Sequence, residues 1–204
     1  MRLIRGIALG FGIALFGALV GAGCASHKVV TRIDTNEQVD LSGRWNDTDS
    51  QMVAEEMIKD MLGSPWLERR ADRSKTPVII CGSVMNKSLE HIPVATFVKD
   101  IEKAVVNSAQ AQIVASSEER GDVRTEREDQ RVNASPETLK QMGREVGADY
   151  MLLGEINQIN DKEEKNEVKY YQVDLTLVNI ETNIKSWIGQ KKIKKFIGRS
   201  KYRS

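Results

Sequence analysis

Pro77-Val78-Ile79-Ile80-Cys81-Gly82-Ser83-Val84-Met85 is the stretch on which the fold turns. A proline opens a nearly unbroken apolar run of strand length, and such a run describes a strand covered on both faces. It is therefore expected at the centre of a sheet. Cys81 inside it reads most simply as a small buried hydrophobe, because no histidine lies near it in sequence to activate a thiol. The next residues, Asn86-Lys87-Ser88, have the ending of a phosphate-binding loop. Asn86 stands where the second glycine of G-x-x-x-x-G-K-[ST] belongs, and Gly82 is one place off the first, so a nucleotide site is set aside.

On the amino side, Leu41-Ser42-Gly43-Arg44-Trp45-Asn46-Asp47-Thr48-Asp49-Ser50 opens the folded part. Its side-chain oxygens suit a helix amino terminus, after which Val53, Ala54, Met57, Ile58, Met61 and Leu62 recur at helical spacing. Gly63 ends that helix, and Ser64-Pro65 starts a short turn carrying Trp66 and Leu67. Glu55 and Glu56 are not a catalytic pair, since neighbouring helix positions do not face each other.

On the carboxyl side, Val94, Phe97, Val98, Ile101, Ala104 and Val105 line one face of a second helix that should pack on the sheet. Ala111–Ala115 is a second strand, and strand, helix, strand in that order implies a parallel crossover. Residues 118–131 hold six acids and four arginines, including Arg120 and Arg124, and read as a solvated helix or loop or else as a partner surface. Ser135-Pro136 starts a further helix with Leu139, Met142 and Val146 inward and Gly147 as its stop. Tyr150–Ile156 is a third strand, and Asp161–Asn166 a charged hairpin loop. Lys169–Val178 alternates as a fourth, with Tyr171, Val173, Leu175 and Leu177 on one face and Gln172, Asp174 and Thr176 on the other. A turn at Glu181-Thr182-Asn183 leads to a fifth strand from Ile184 to about Ile193. The expected fold class is α+β, a mixed sheet of four to five strands flanked by helices, parallel near its centre and antiparallel at its end.

The first residues set the compartment. Arg2 and Arg5 precede a charge-free apolar run from Ile7 to Val20, and Gly21-Ala22-Gly23 then lead to Cys24, the pattern of a secretory signal ending in a lipobox-like site. A transmembrane anchor is the competing reading, since a bilayer core of about 30 Å needs about 20 apolar residues. The many glycines and the placement of the cysteine favour a lipoprotein with Cys24 as the lipidation site. Ala25 and Ser26 follow, with no acidic residue to retain the protein at the inner membrane, so a lipid anchor in the outer membrane facing the periplasm is expected. The boundaries are then a signal at 1–23, a tether at 24–40, a globular domain at 41–196 and a basic tail at 197–204. His27 lies in the tether. The 204 residues carry a formal charge of +1, and losing the signal makes it −1. Residues 191–204 hold +7 of that and residues 24–190 hold −8. Lys191, Lys192, Lys194 and Lys195 either guard a sheet edge or attract wall polymer or anionic lipid. Nucleic acid is excluded by compartment. Cys24 and Cys81 are the only cysteines, so lipidation of one leaves no internal disulfide.

Ser42–Asp49, the strand entering Met85-Asn86-Lys87, Gly147-Ala148-Asp149-Tyr150, and Glu181-Thr182 ahead of Trp187 resemble the LpoB family. These are outer-membrane lipoproteins that activate peptidoglycan synthases, and the resemblance spans about residues 39–196. It implies a fold like the amino-terminal domain of TolB and, as partner, a docking domain of a bifunctional class A penicillin-binding protein. The better-known members carry a long disordered tether, which this chain lacks.

Apart from that resemblance, the chain is poor in catalytic material. It has two histidines, no Cys/His metal spacing, no glycine-rich phosphate cradle and no nucleophile elbow, so no cofactor is implied. A non-enzymatic activator of cell-wall synthesis is the leading expectation. The alternative is a lipoprotein subunit of an outer-membrane assembly or secretion complex, as the related curli-channel lipoproteins are. A cell-wall hydrolase lacks an evident acid/base pair. The expected partner surface lies where the apolar strand emerges, at Met85, Asn86 and Lys87, with Arg120 and Arg124 near it. Arg44 and Trp45 are the second choice.

Overall fold

The structure is a computed structural model that describes residues 29–34, 37–70, 72–135, 137 and 145–198. The chain forms two compact units, Met1–Thr35 and Asn36–Ser204. Of the first, residues 29–34 are exposed and without regular structure, and Cys24 with the signal lies outside the described residues. The second unit carries the elements below.

Helix α1 (Asp47–Gly63) starts where the sequence puts an oxygen-rich cluster. The Asn46 side chain accepts the Asp49 N–H, and the Asp49 side chain accepts the Asn46 N–H in return. This reciprocal cap satisfies two donors that the first turn leaves without helical partners. All six residues of the expected apolar stripe are buried. A 3-10 turn at Pro65–Leu67 follows, and the Trp66 indole N–H donates to the Met61 carbonyl at 2.6 Å, closing the helix end.

Strand β1 (Val78–Asn86) leads to helix α2 (Val94–Ser108), which buries Phe97, Ile101 and Val105. Strand β2 (Gln112–Ile113), helix α3 (Ser117–Asn133) and three long strands, β3 (Tyr150–Glu163), β4 (Asn166–Asn179) and β5 (Lys185–Gly198), complete the unit. The sheet order is β2-β1-β3-β4-β5. β1 is parallel to both neighbours, whereas β3, β4 and β5 form an antiparallel meander. Helices α1 and α2 pack on one face, α1 against β5 and α2 against β1. The fold is thus a mixed α+β sheet of five strands, as the sequence pattern implies. Tyr171, Val173, Leu175 and Leu177 all point into the core, each at most 1% exposed.

Four expectations need correction. β1 is second from an edge, and it is not covered on both faces along its length: Val78 and Ile79 are buried, but Ser83 and Met85 are exposed. The apolar run signals burial without saying how far along the strand the covering layers reach. β2 has two residues where five are expected, because the Ser116 and Glu119 capping box turns the chain into α3 directly after Val114. The hairpin is tighter than its charge suggests, with Glu164-Lys165 as the turn and Lys162 opposite Glu167. Those strand ends project beyond the core, where charged side chains cost little. Finally, β5 runs on to Gly198, past the expected end at about Ile193, and the Ile197 side chain lies where a Cβ on Gly43 would stand, at 2.5 Å. Gly43 has φ +65°, so the backbone conformation and the close approach both call for glycine.

The helix expected from Ser135 to Gly147 falls largely outside the described residues. Val146, one of its expected inward positions, is exposed.

Candidate functional site

The loop between β1 and α2 is held by a carboxylate that local sequence does not distinguish. Glu90 accepts four hydrogen bonds, from the Lys169 ammonium at 2.6 Å, the Tyr171 hydroxyl at 2.8 Å, the Gln158 amide at 2.9 Å and the Trp45 backbone N–H at 3.2 Å. Burial disfavours its ionised form, but the bonds from Lys169, Tyr171, Gln158 and Trp45 outweigh that cost and hold Glu90 below the usual glutamate range. Burial and the neighbouring carboxylate push the Tyr171 phenol up, so it stays a donor. Lys169 is buried, with a side chain 9% exposed. One carboxylate thereby ties β3, β4 and two loops together.

A second ionic cluster lies beside it. The Lys195 ammonium donates to Asp49 at 2.6 Å, Asp40 at 2.7 Å and the Arg44 carbonyl at 3.2 Å. Burial opposes the charge on Lys195, yet the bonds to Asp40 and Asp49 raise its pKa. Burial also pushes the Asp49 carboxyl up, with Lys195 and the Asn46 N–H pulling against it.

Within the loop, the Asn86 side chain donates to the Glu90 carbonyl at 2.7 Å and accepts the Ser88 N–H and hydroxyl. The Leu89 N–H donates to the Gln158 side chain at 3.2 Å. Leu89 itself is 90% exposed. A large apolar side chain thus stands in water on a loop anchored on both sides of it.

The same end of β1 opens onto the sheet face away from the helices. Because β4 sends its odd-numbered residues inward, its even-numbered ones face outward. The register aligns Met85, Glu155, Asp174 and Gln190 in one row across four strands, and Ile159, Tyr170 and Lys194 in another. Gln172 donates to Asp174 at 2.8 Å, Gln190 to Asp174 at 2.7 Å, and Tyr170 to Gln172 at 3.1 Å. Exposed Met85, Ile159, Ile188 and Phe196 interrupt this polar ladder. Lys87 pairs with Glu155, whose carboxyl is lowered by that bond and by Asn157.

Met85, Asn86 and Lys87 therefore stay together, but Arg120 and Arg124 do not join them. Arg120 donates to the Ala115 carbonyl and Arg124 pairs in bidentate fashion with Glu145 at 2.8 and 2.9 Å. Both line a hollow with Ile80 and Met151, and six residues of strand, about 20 Å, separate Ile80 from Asn86. Trp45 packs edge-on against Phe97 and Tyr171 with centroids 6.2 and 5.7 Å away, while Arg44 is exposed. Of the lysines at 191, 192, 194 and 195, Lys191 pairs with Glu56 and Lys195 is half-buried in its cluster, leaving Lys192 and Lys194 exposed on the outer face. Cys81 is half-buried, its thiol pushed up to about 12 by burial and the nearby Glu102, a poor state for a nucleophile. Among the described residues, no group of three or more His, Cys, Asp or Glu side chains is placed to hold a metal ion.

These features describe a small α+β domain with α1 and α2 on one sheet face and, on the other, a polar, partly aliphatic surface that Arg120 and Arg124 of α3 border at the Ile80 and Met151 end. The sequence matches the family of the peptidoglycan-synthase activator LpoB over residues 49–193, and the chain belongs to that family. The match begins at Asp49, the last residue of the Ser42–Asp49 stretch. Among solved structures, the LpoB C-terminal domain from Escherichia coli is similar, at 17% identity over 72% of this chain and 99% of that one, with a TM-score of 0.44. The corresponding domain from Salmonella enterica has 15% identity, the same coverages and a TM-score of 0.43. Lipoprotein GNA1162 from Neisseria meningitidis has 12% identity over 62% of this chain and 88% of that one, with a TM-score of 0.40. No curated protein matches the sequence.

Proposed function

We propose that this chain is a non-enzymatic lipoprotein, anchored in the outer membrane through Cys24 and facing the periplasm, that binds and activates a bifunctional class A penicillin-binding protein. Membership of a family of synthase activators supports the class of function. The observation that carries the binding site is Leu89, 90% exposed on a loop pinned by Asn86, Glu90 and Gln158. A rigid loop presenting an apolar anchor forfeits little conformational entropy on binding. Met85 and Ile159, exposed on the outer face of the strands that adjoin this loop, and Lys87 within the loop add mixed apolar and polar character of the kind an interface has. Activation then follows if the synthase conformation with higher turnover is the one this surface binds more tightly.

The alternative, a subunit of an outer-membrane channel, requires strands whose outer faces meet lipid. Strands β3, β4 and β5 are long enough, but one face packs on helices and the other carries Glu155, Asp174, Gln172 and Lys194. The activator reading accommodates both faces.

The test adds the purified full chain to a class A synthase and follows glycan polymerisation and binding. Wild type should raise turnover. Leu89→Asp should weaken binding by at least about tenfold, the effect of losing a hot-spot side chain, while circular dichroism stays unchanged. A well-folded Leu89→Asp variant that binds and activates like wild type moves the interface away from this loop.

A further inference from the structure

At the opposite end of the meander, a cleft of about 310 Å³ opens between the segment after α1 and the β4–β5 connection. Arg69, Arg70 and Lys185 line it, and no carboxylate does. We propose that this cleft binds a small oxyanion, a carboxylate or phosphate group. Three cations gathered around one hollow repel each other, and an anion between them removes that cost.

The cations are not gathered by accident of mobility. The Arg70 guanidinium donates through Nε to the Leu67 carbonyl at 2.8 Å and through Nη1 to the Lys75 carbonyl at 2.6 Å, which fixes its plane. With Nε and Nη1 engaged on carbonyls, the guanidinium holds its remaining Nη2 donors and its charge in a fixed plane for an oxyanion. Arg69 and Lys185 are exposed and make no ion pair among the described residues. Asp149, the residue before β3, accepts the Val78 N–H through its carboxylate at 2.9 Å.

The walls are equally fixed. Buried Trp66 and Tyr150 meet edge-on with centroids 5.0 Å apart and form the floor. The facing turn is locked by Asn179, whose side-chain oxygen accepts the Thr182 N–H and hydroxyl, each at 2.9 Å. Asn183 completes the turn with φ +58°. Ser186 also lines the cleft, a residue whose hydroxyl carries no charge. A volume near 300 Å³ is at the small end for ligand sites, which fits a small molecule or the head of a larger one.

The test titrates the full chain in a neutral detergent with inorganic phosphate, N-acetylglycine and, as the uncharged control, N-acetylglycinamide. Flotation of the Cys24→Ser form, without the lipid that would itself insert, with vesicles of equal phosphatidylglycerol and phosphatidylcholine supplies a lipid-borne phosphate. Wild type should bind at least one of the anionic probes saturably and ignore the amide, and Arg69→Gln with Lys185→Gln should weaken that binding roughly tenfold, the scale of losing charge-assisted hydrogen bonds. Both side chains are exposed, so the variant should melt like wild type. Flotation that the double variant loses assigns the anion to a lipid headgroup, whereas saturation by the free anions alone assigns it to a soluble ligand. Absence of saturable binding by every anion, or equal binding by the double variant, overturns the proposal.

Discussion

Glu90→Gln should destabilise the domain almost as much as removing the side chain. All four partners of Glu90 are donors: Lys169 and Gln158 on Oε1, Tyr171 and Trp45 on Oε2. A glutamine therefore points its own NH2 at two donors whichever way it is turned. It also leaves the Lys169 ammonium, 9% exposed, without its nearest counter-charge. Breaking a buried ion pair by removing one partner costs about 3–5 kcal/mol. Glu167 lies 4.0 Å from the same ammonium and water reaches part of the site, so the lower end applies, about 3 kcal/mol. For a domain of this size that lowers Tm by roughly 6–12 °C. Glu90→Met combined with Lys169→Met removes both charges at once and should recover part of the loss, the remainder reflecting Tyr171, Gln158 and Trp45, which still lose their acceptor. Thermal and urea unfolding followed by circular dichroism measure both. A Glu90→Gln variant within about 1 kcal/mol of wild type, against the 3 expected, refutes the hub. So does a double variant no more stable than the single.

Gly43→Ala should cost about 1–3 kcal/mol in urea unfolding, because an alanine at φ +65° is strained and its Cβ meets Ile197 at 2.5 Å; unchanged stability would mean the Ser42–Trp45 turn is free to rearrange. The depressed Glu90 pKa contributes stability that is complete above the ordinary glutamate value of about 4.3 and is lost as pH falls through the lower folded value. Acid unfolding should therefore steepen below that pH in wild type and less so in the Glu90→Met, Lys169→Met double variant; coincident acid limbs would remove Glu90 from the pH dependence. Cys24→Ser should abolish metabolic labelling with a fatty acid and release the protein from the membrane fraction, while equal labelling of both forms would end the lipoprotein reading.

Periodicity made the apolar architecture legible. The 3.6-residue spacing of Val53 through Leu62 and the alternation of Tyr171 through Leu177 each state which face is buried, and each is buried. What periodicity cannot state is where a covering layer stops, which is why β1 was readable as a strand but not as one whose second half emerges. The ionic sites were less legible, since a charge in sequence reads as solvated by default and Glu90 and Lys169 are 79 residues apart. One signal was nevertheless present. Lys169 occupies the same odd register as Tyr171 and Val173, and Lys195 the same register as Trp187 and Ile193, so an inward lysine at each position was implied by the pattern. An inward lysine demands an acid, and the candidates were on other elements.

Along the inner face of β4 and β5, Leu177 faces Trp187, Leu175 faces Gly189, Val173 faces Lys191, Tyr171 faces Ile193 and Lys169 faces Lys195, so the last row alone is charged on both strands. The core thins toward the last row, and there the sheet is closed by hydrogen-bonded charges instead of hydrocarbon. That is also the end at which the loop bearing Leu89 sits. Apolar packing strong enough to fix this loop would have drawn Leu89 into the core, because a loop held by hydrophobic contact buries its largest apolar side chain first. Holding the loop through the Glu90 carboxylate and the Asn86 amide leaves that side chain outside while the backbone beneath it stays fixed. The cost of burying charge at the rim of the core and the exposure of an apolar anchor are thus one arrangement, and a change that relieves the first should disturb the second.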